Sequence, residues 1–150
     1  KNRPKLFLGA AAAPFALDPA MQAIRIRKKV NAGAQFLQTN LVFDPDRLDP
    51  WLEQLDKDGL LDKVHILVGI SPLRSLNLAK YLNDNIPGVT VPEEVMKRLA
   101  DAGDRFAEES ISITAENLKR LKAKKGVSGV HIMPLGWEEA LPFVIQRAAD

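Results

Sequence analysis

Cysteine is absent from the 150 residues, and its absence excludes disulfides, thiolate zinc sites, iron–sulfur clusters and cysteine nucleophiles. An excess of one charge is also lacking, because 21 Lys and Arg against 19 Asp and Glu leave a formal net charge of +2. So balanced a chain is not expected to bind nucleic acid as its main role. The longest apolar run, around residues 6–15, is far shorter than the roughly 20 residues of a membrane span.

The overall composition is that of a globular chain, with 46% hydrophobic and 27% charged residues. The length allows one domain with its own core and is too short for two. The chain opens on Lys1 rather than Met and enters an apolar run within a few residues. We therefore expect residues 1–150 to be a single fragment of a longer protein.

Apolar, strand-like runs recur along the chain and are each followed by an amphipathic helix. The runs cover residues 5–10, 35–42, 64–70 and 127–133, and the first three begin about 30 residues apart, the size of one strand–helix crossover unit. A long helical stretch over residues 92–125, broken near Gly103, fills the gap before the last run. Uninterrupted apolar runs predict parallel strands covered on both faces.

This alternation predicts an α/β fold, and four strands allow two architectures. No Gly-x-Gly-x-x-Gly or Gly-Lys-Ser/Thr segment follows a strand, which disfavours a nucleotide-binding, doubly wound domain. The preferred architecture is half of a TIM (β/α)8 barrel. In such a half-barrel the carboxyl ends of all strands lie on one side, and helices cover only the outer face.

The loops after the strands hold few reactive side chains. Gln38 and Asn40 point to the same side of one strand because strand side chains alternate. Their amide groups are expected either to bind a polar ligand or to hydrogen-bond to each other in a polar layer. Asp18 and Asp44 each precede Pro, a pattern typical of helix caps.

Two further groups complete the polar inventory. His65 and His131 lie within strands and are not spaced as a metal pair, so no metal site is expected. The basic cluster of the first helix is interpreted as a solvated face or as a phosphate-binding group; it consists of Arg25, Arg27, Lys28 and Lys29.

The segment over residues 27–44, Arg-Lys-Lys-Val-Asn-Ala-Gly-Ala-Gln-Phe-Leu-Gln-Thr-Asn-Leu-Val-Phe-Asp, resembles the methylenetetrahydrofolate reductase family. That family carries Lys-Lys-Val-Asp-Ala-Gly-Ala-Asp-Phe-Ile-x-Thr-Gln-x-x-Phe-Asp. The similarity continues in order through residues 68–73, 86–93 and 126–131, and residues 9–15 resemble the strand and loop before the Lys-Lys helix. The family is a flavin-dependent (β/α)8 barrel, and this chain resembles its C-terminal half, strands five to eight.

The resemblance implies FAD as cofactor. Lys28 and Lys29 align with a basic pair that contacts the flavin phosphates. Arg25 takes a flavin-contacting position where better-known members have Asn. Ala13 lies in the flavin loop, where Tyr or Asn is typical.

It also implies a folate substrate. Asn40 stands where a folate- and flavin-facing Gln is expected, with Gln38 able to assist it. Leu76 aligns with an aromatic position that stacks on substrate, and Trp137 with a substrate-binding Arg. Residues 134–139 resemble the anaerobe-type reductases that lack a conventional nicotinamide partner domain, which implies a separate electron-donor subunit.

The implied function is part of a flavin-dependent oxidoreductase that interconverts 5,10-methylenetetrahydrofolate and 5-methyltetrahydrofolate. The family's catalytic carboxylates lie on the first and fourth strands, so this fragment is expected to carry binding residues, no catalytic ones, and no activity alone. Its expected partners are the missing N-terminal half of the barrel or a second copy, and its expected location is cytoplasmic. The alternative is a non-catalytic barrel subunit or partner-binding module of a one-carbon, methyl-transfer complex.

Overall fold

The computed structural model describes residues 4–16 and 18–149. Four strands alternate with helices, and a pair of helices (α4 and α5) is inserted before the last strand. The elements are β1 (Gly9–Ala12), α1 (Pro19–Asn31), β2 (Phe36–Leu41), α2 (Asp49–Lys57), β3 (His65–Ile70), α3 (Leu76–Asn85), α4 (Glu93–Asp101), α5 (Phe106–Ala123), β4 (Gly129–Ile132) and α6 (Leu141–Ala149). Short 3-10 turns precede α2, α5 and α6.

The strands form one parallel sheet in the order β1-β2-β3-β4. One face packs under α1, α2 and α5, where Leu37 and Ile66 of the sheet are fully buried with Trp51 of α2. The alternate strand positions Gln38 and His65 are exposed. This sequential order with helices against one face is that of half a (β/α)8 barrel, which confirms the predicted fold class.

The first strand is where the sequence prediction is wrong. A buried strand was expected over residues 5–10, but β1 covers Gly9–Ala12, and Leu6 and Phe7 are 68% and 63% exposed. The stretch lies at the sheet edge, where only β2 is available as a neighbour. Leu8 accepts from the Gln35 backbone N at 2.8 Å and donates its own N–H to Gln35 Oε1 at 3.2 Å, so a side chain replaces one ladder partner. The last strand is also shorter than the predicted 127–133.

Helix starts follow the capping residues seen in the sequence. The Asp18 side chain accepts from the backbone N of Met21 at 3.1 Å, with Pro19 at the first helical position. Asp44 accepts from the Asp46 N at 3.1 Å and caps the 3-10 turn before α2. The capping interpretation of both aspartates is therefore confirmed.

The inserted helices α4 and α5 are joined by charge. Arg98 of α4 donates through both terminal nitrogens to the carboxylate of Glu116 on α5, each at 2.7 Å, and it also contacts Glu109. The hydrogen bonds from Arg98 lower the pKa of the Glu116 carboxyl below its ordinary value. None of the helices in the described ranges is long and apolar enough to cross a membrane.

Candidate functional site

A cavity of about 620 Å³ opens where β1, β2 and β4 end. Its walls combine apolar side chains with a small number of polar groups, the composition of many small-molecule sites. The lining includes Ala13, Gln22, Arg25, Lys29, Gln38, Thr39, Asn40, His131 and Leu135. In a parallel barrel sheet this is the end at which ligands bind.

Helix α1 supplies the basic wall of the cavity. Arg25 and Lys29 line it, since residues four apart share one helix face. The Nζ of Lys29 donates to the Ala11 carbonyl oxygen at the end of β1. Lys28 is exposed and lies outside the lining, and Arg27 pairs instead with Asp58, at 3.1 Å between Nη2 and Oδ2. The predicted basic cluster is thus divided between cavity and solvent.

The two strand amides, Gln38 and Asn40, both line the cavity. Asn40 Nδ2 donates to the Gly88 carbonyl oxygen at 3.1 Å, while Asn40 Oδ1 is buried and has no hydrogen-bond partner among the described residues. Within those residues no hydrogen bond joins the two amides. The mutually satisfied polar layer is therefore not what the structure contains.

A register shift separates the two amides in β2. Gln38 pairs with Leu67, but Leu41 pairs with Gly69, so β2 holds one extra residue against β3. The Thr39 hydroxyl fills the gap, accepting from the Gly69 N at 2.9 Å and donating to the Asn40 carbonyl at 2.7 Å. Bulges of this kind redirect side chains near binding sites.

Gln22 is a cavity residue that the sequence prediction missed. It is 3% exposed, it lines the cavity, and its Nε2 is buried without a hydrogen-bond partner in the described chain. Its spacing to Arg25 and Lys29, three and seven residues, places all three on one helix face. That periodicity was the available signal.

The segment after β4 supplies a second missed residue, Leu135. It lines the cavity. Among the residues that the structure describes, it is the one non-glycine residue with a positive φ, which is 51°. Such backbone strain is retained where the surrounding structure demands it, often at binding sites. Trp137, which the family resemblance places at a substrate-binding position, is half-buried and does not line the cavity.

The remaining predicted residues divide in the same way. Ala13 lines the cavity where the loop after β1 begins. Leu76 does not; it packs at the start of α3 against the apolar cluster around Leu73 and Leu82. In the described parts of the chain, no group of three or more His, Asp and Glu side chains could hold a metal ion.

Comparison with known proteins adds a family and a fold. A family model described as methylenetetrahydrofolate reductase matches residues 10–149. The chain is 25% identical over 138 residues to methylenetetrahydrofolate reductase 1 of Schizosaccharomyces pombe, covering 87% of this chain and 21% of that protein. It is 25% identical over 126 residues to methylenetetrahydrofolate reductase 2 of Saccharomyces cerevisiae, covering 81% and 20%. The chain thus spans about a fifth of the length of these relatives.

A solved structure shares the architecture at low sequence identity. It is described as an uncharacterized protein from Clostridium thermocellum that binds two copies of 5-methyl-5,6,7,8-tetrahydrofolic acid. The TM-score is 0.62 at 18% identity, and the match covers 95% of this chain and 52% of that one. At this identity the likeness establishes the fold.

Proposed function

The chain belongs to the methylenetetrahydrofolate reductase family, and on that premise we propose that it is the flavin- and folate-binding half of an oxidoreductase. The whole protein would interconvert 5,10-methylenetetrahydrofolate and 5-methyltetrahydrofolate. One observation carries the proposal: Gln22 and Asn40 line one cavity together with two cationic side chains, and each has a buried amide atom, Nε2 or Oδ1, without a hydrogen-bond partner among the described residues. Buried polar atoms are normally paired, so unpaired atoms on residues that line a cavity favour a polar ligand.

The α1 side of the cavity fits FAD. Arg25 and Lys29 would bind the phosphates through charge-assisted hydrogen bonds, and the small Ala13 leaves room in the loop after β1. Gln22 also lines this side, and its buried Nε2 has no hydrogen-bond partner among the described residues. The flavin, when bound, supplies hydride transfer, and the protein supplies its binding and orientation. Lys28, assigned to the phosphates by the family resemblance, would reach them only from outside the lining.

The β2 side fits a folate. Asn40 and Gln38 line this side, and their amide groups offer both donor and acceptor atoms to a pterin. The folate bound by the Clostridium thermocellum protein supports this substrate class. Leu76 and Trp137 would contact substrate only if its tail extends beyond the cavity rim.

The proposal requires partners that complete the site. Large apolar side chains are exposed beside both ends of the sheet, Leu6 and Phe7 near β1 and Phe143 and Ile145 on α6. Unpaired sheet edges of this kind invite further strands. We propose that the N-terminal half of the barrel covers them and brings the catalytic carboxylates, with a second copy as the other candidate. An electron-donor subunit and a cytoplasmic location belong to the same proposal.

The direct test is flavin binding by the complete protein. Purified protein should be yellow with FAD near stoichiometric, and its reduced flavin should be reoxidised by 5,10-methylenetetrahydrofolate under anaerobic conditions. The isolated 150-residue chain should hold no stable flavin, because half of the binding walls are missing. A colourless complete protein that binds no added FAD would overturn the proposal.

The second candidate is a barrel subunit that has lost turnover and retains partner binding. Three departures from the family pattern at ligand positions favour it: Ala13, Asn40 and Trp137. Asn40→Gln restores the family residue and separates the candidates. A functional site should bind flavin or 5-methyltetrahydrofolate more tightly with Gln, whereas a vestigial one should not respond. Asn85→Gln, on the exposed end of α3, is the matched control.

A further inference from the structure

His131 on β4 contacts β2 across the intervening strand β3. Its Nε2 lies 2.8 Å from the carbonyl oxygen of Thr39, although 92 residues separate the two in sequence. The contact crosses Gly69, where a Cβ atom would lie 2.9 Å from His131 Nε2. The absence of a side chain at Gly69 is therefore what lets the imidazole reach the second strand.

The bulge in β2 explains why the Thr39 carbonyl needs this donor. The Gly69 N–H donates to the Thr39 hydroxyl at 2.9 Å, at the point where the register between β2 and β3 shifts. A carbonyl oxygen can only accept, so Nε2 must carry the proton. Buried backbone groups left without partners are costly, and His131 supplies a donor to the Thr39 carbonyl at the bulge.

We propose that His131 is a positioning residue for the amide side chain of Asn40. Its hydrogen bond to Thr39 holds the β2 bulge in place and thereby fixes the direction in which the Asn40 side chain points. Asn40 directly follows Thr39, and its side chain spans to the Gly88 carbonyl oxygen at 3.1 Å. Thr39 and Asn40 both line the cavity. The effect on the bulge stands on the structure alone, and only the consequence for ligand affinity rests on the proposed function.

Two substitutions separate positioning from packing. His131→Phe keeps an aromatic ring and removes the donor, whereas His131→Gln keeps an N–H donor on a flexible chain. Phe should release the Asn40 side chain, seen by NMR as faster hydrogen exchange of its amide protons. It should also weaken binding of 5-methyltetrahydrofolate or FAD to the complete protein about tenfold, the value of one hydrogen bond. Gln should recover most of both effects.

The tautomer gives a third readout that needs no ligand. The chain contains two histidines, and ¹⁵N spectra of the labelled imidazoles should show His131 protonated on Nε2 when neutral. His65, whose Nδ1 lies 3.4 Å from Ser128 Oγ, is the internal comparison.

Each outcome decides the proposal. It is overturned if neutral His131 carries its proton on Nδ1, if His131→Phe leaves Asn40 exchange unchanged, or if Gln and Phe behave alike. If the wild-type complete protein binds neither flavin nor folate, the proposed function fails, and the tautomer and exchange measurements still decide whether His131 holds the bulge.

Discussion

The side chain of Asn40 donates to the backbone carbonyl of Gly88 at 3.1 Å and so joins the end of β2 to the turn after α3. Gly88 has a φ of +77°, and a Cβ there would lie 3.2 Å from Asn40 Nδ2. The turn therefore requires glycine for its backbone conformation, and it also holds the Asn40 amide in place. The position of this amide depends on a loop that follows it by 48 residues.

Gly88→Ala should affect stability and binding separately. The left-handed conformation costs a residue with a Cβ about 1–2 kcal/mol, and the added methyl also displaces Asn40. Gly59 is the matched control, because its φ is +61° with nothing within 4 Å of an added Cβ. Urea unfolding should give similar losses for both alanine variants. Only Gly88→Ala should weaken folate binding by the complete protein, and equal binding by both would contradict the role of this turn.

Gly69→Ala in β3 should destabilise the sheet more than Gly129→Ala in β4. An added Cβ would lie 2.8 Å from the Asn40 carbonyl oxygen and 2.9 Å from that of Thr39. Backbone atoms cannot rotate away as a side chain can, so the strands must separate, at a cost of roughly 1–3 kcal/mol or more.

Gly129→Ala is the control for this substitution, because its Cβ would meet only the flexible end of Leu67, at 3.2 Å. Denaturant midpoints should fall clearly for Gly69→Ala and little for Gly129→Ala. A small loss at both positions would show that β2 and β3 can accommodate the methyl group.

The elements that the sequence predicted well are those specified by neighbouring residues. Asp18 followed by Pro19, and Asp44 followed by Pro45, begin helical turns through contacts within a few residues. The apolar runs placed β2 and β3 to within one residue at each end. The first strand was misplaced because its limits depend on which neighbour is present at the sheet edge.

The site was predicted less completely, for the same physical reason. The alternation of strand side chains placed Gln38 and Asn40 on one side, and both do line the cavity. The bulge at Thr39 was not predictable, because it exists only in the pairing of β2 with β3. Predicting that Lys29 lines the cavity and Arg27 does not would have required the orientation of α1 relative to the sheet, which is determined by packing.

The Arg98–Glu116 ion pair predicts sensitivity to acid. Hydrogen bonds from Arg98 lower the pKa of Glu116 in the folded protein, relative to about 4.3 for an unperturbed Glu. A lowered pKa stabilises the fold at pH values above the unfolded value, and this stabilisation is lost as pH falls through the folded value. Because the Glu116 side chain is 51% exposed, solvent screening limits the pair to about 0.5–1 kcal/mol.

Glu116→Gln should therefore lower the free energy of unfolding near pH 7 by that amount, and the difference from wild type should shrink below about pH 4. Urea unfolding across pH 3–7 measures it. Asp101→Asn, which removes the exposed pair with Lys97, is the control and should change stability less. If the difference in unfolding free energy between Glu116→Gln and wild type stays constant with pH, the loss comes from packing rather than from charge.

Lys29 should matter for flavin binding where its neighbours on α1 do not. It lines the cavity and already directs its Nζ toward the end of β1, whereas Arg27 is paired with Asp58 at 3.1 Å. A charge-assisted hydrogen bond contributes about 1.5–3 kcal/mol, so Lys29→Ala in the complete protein should weaken FAD binding roughly ten- to a hundredfold.

Arg27→Ala is the charge-matched control for this prediction and should change affinity little. Lys28→Ala tests the family assignment directly, and its exposed position outside the lining predicts a smaller effect than at Lys29. FAD titrations followed by fluorescence quenching measure all three, and binding should weaken with added salt because the phosphate contacts are partly exposed. Equal losses of FAD affinity for the Arg27 and Lys29 variants would mean that the cluster acts only through its overall positive charge. No loss for either variant would mean that the cluster is a solvated helix face.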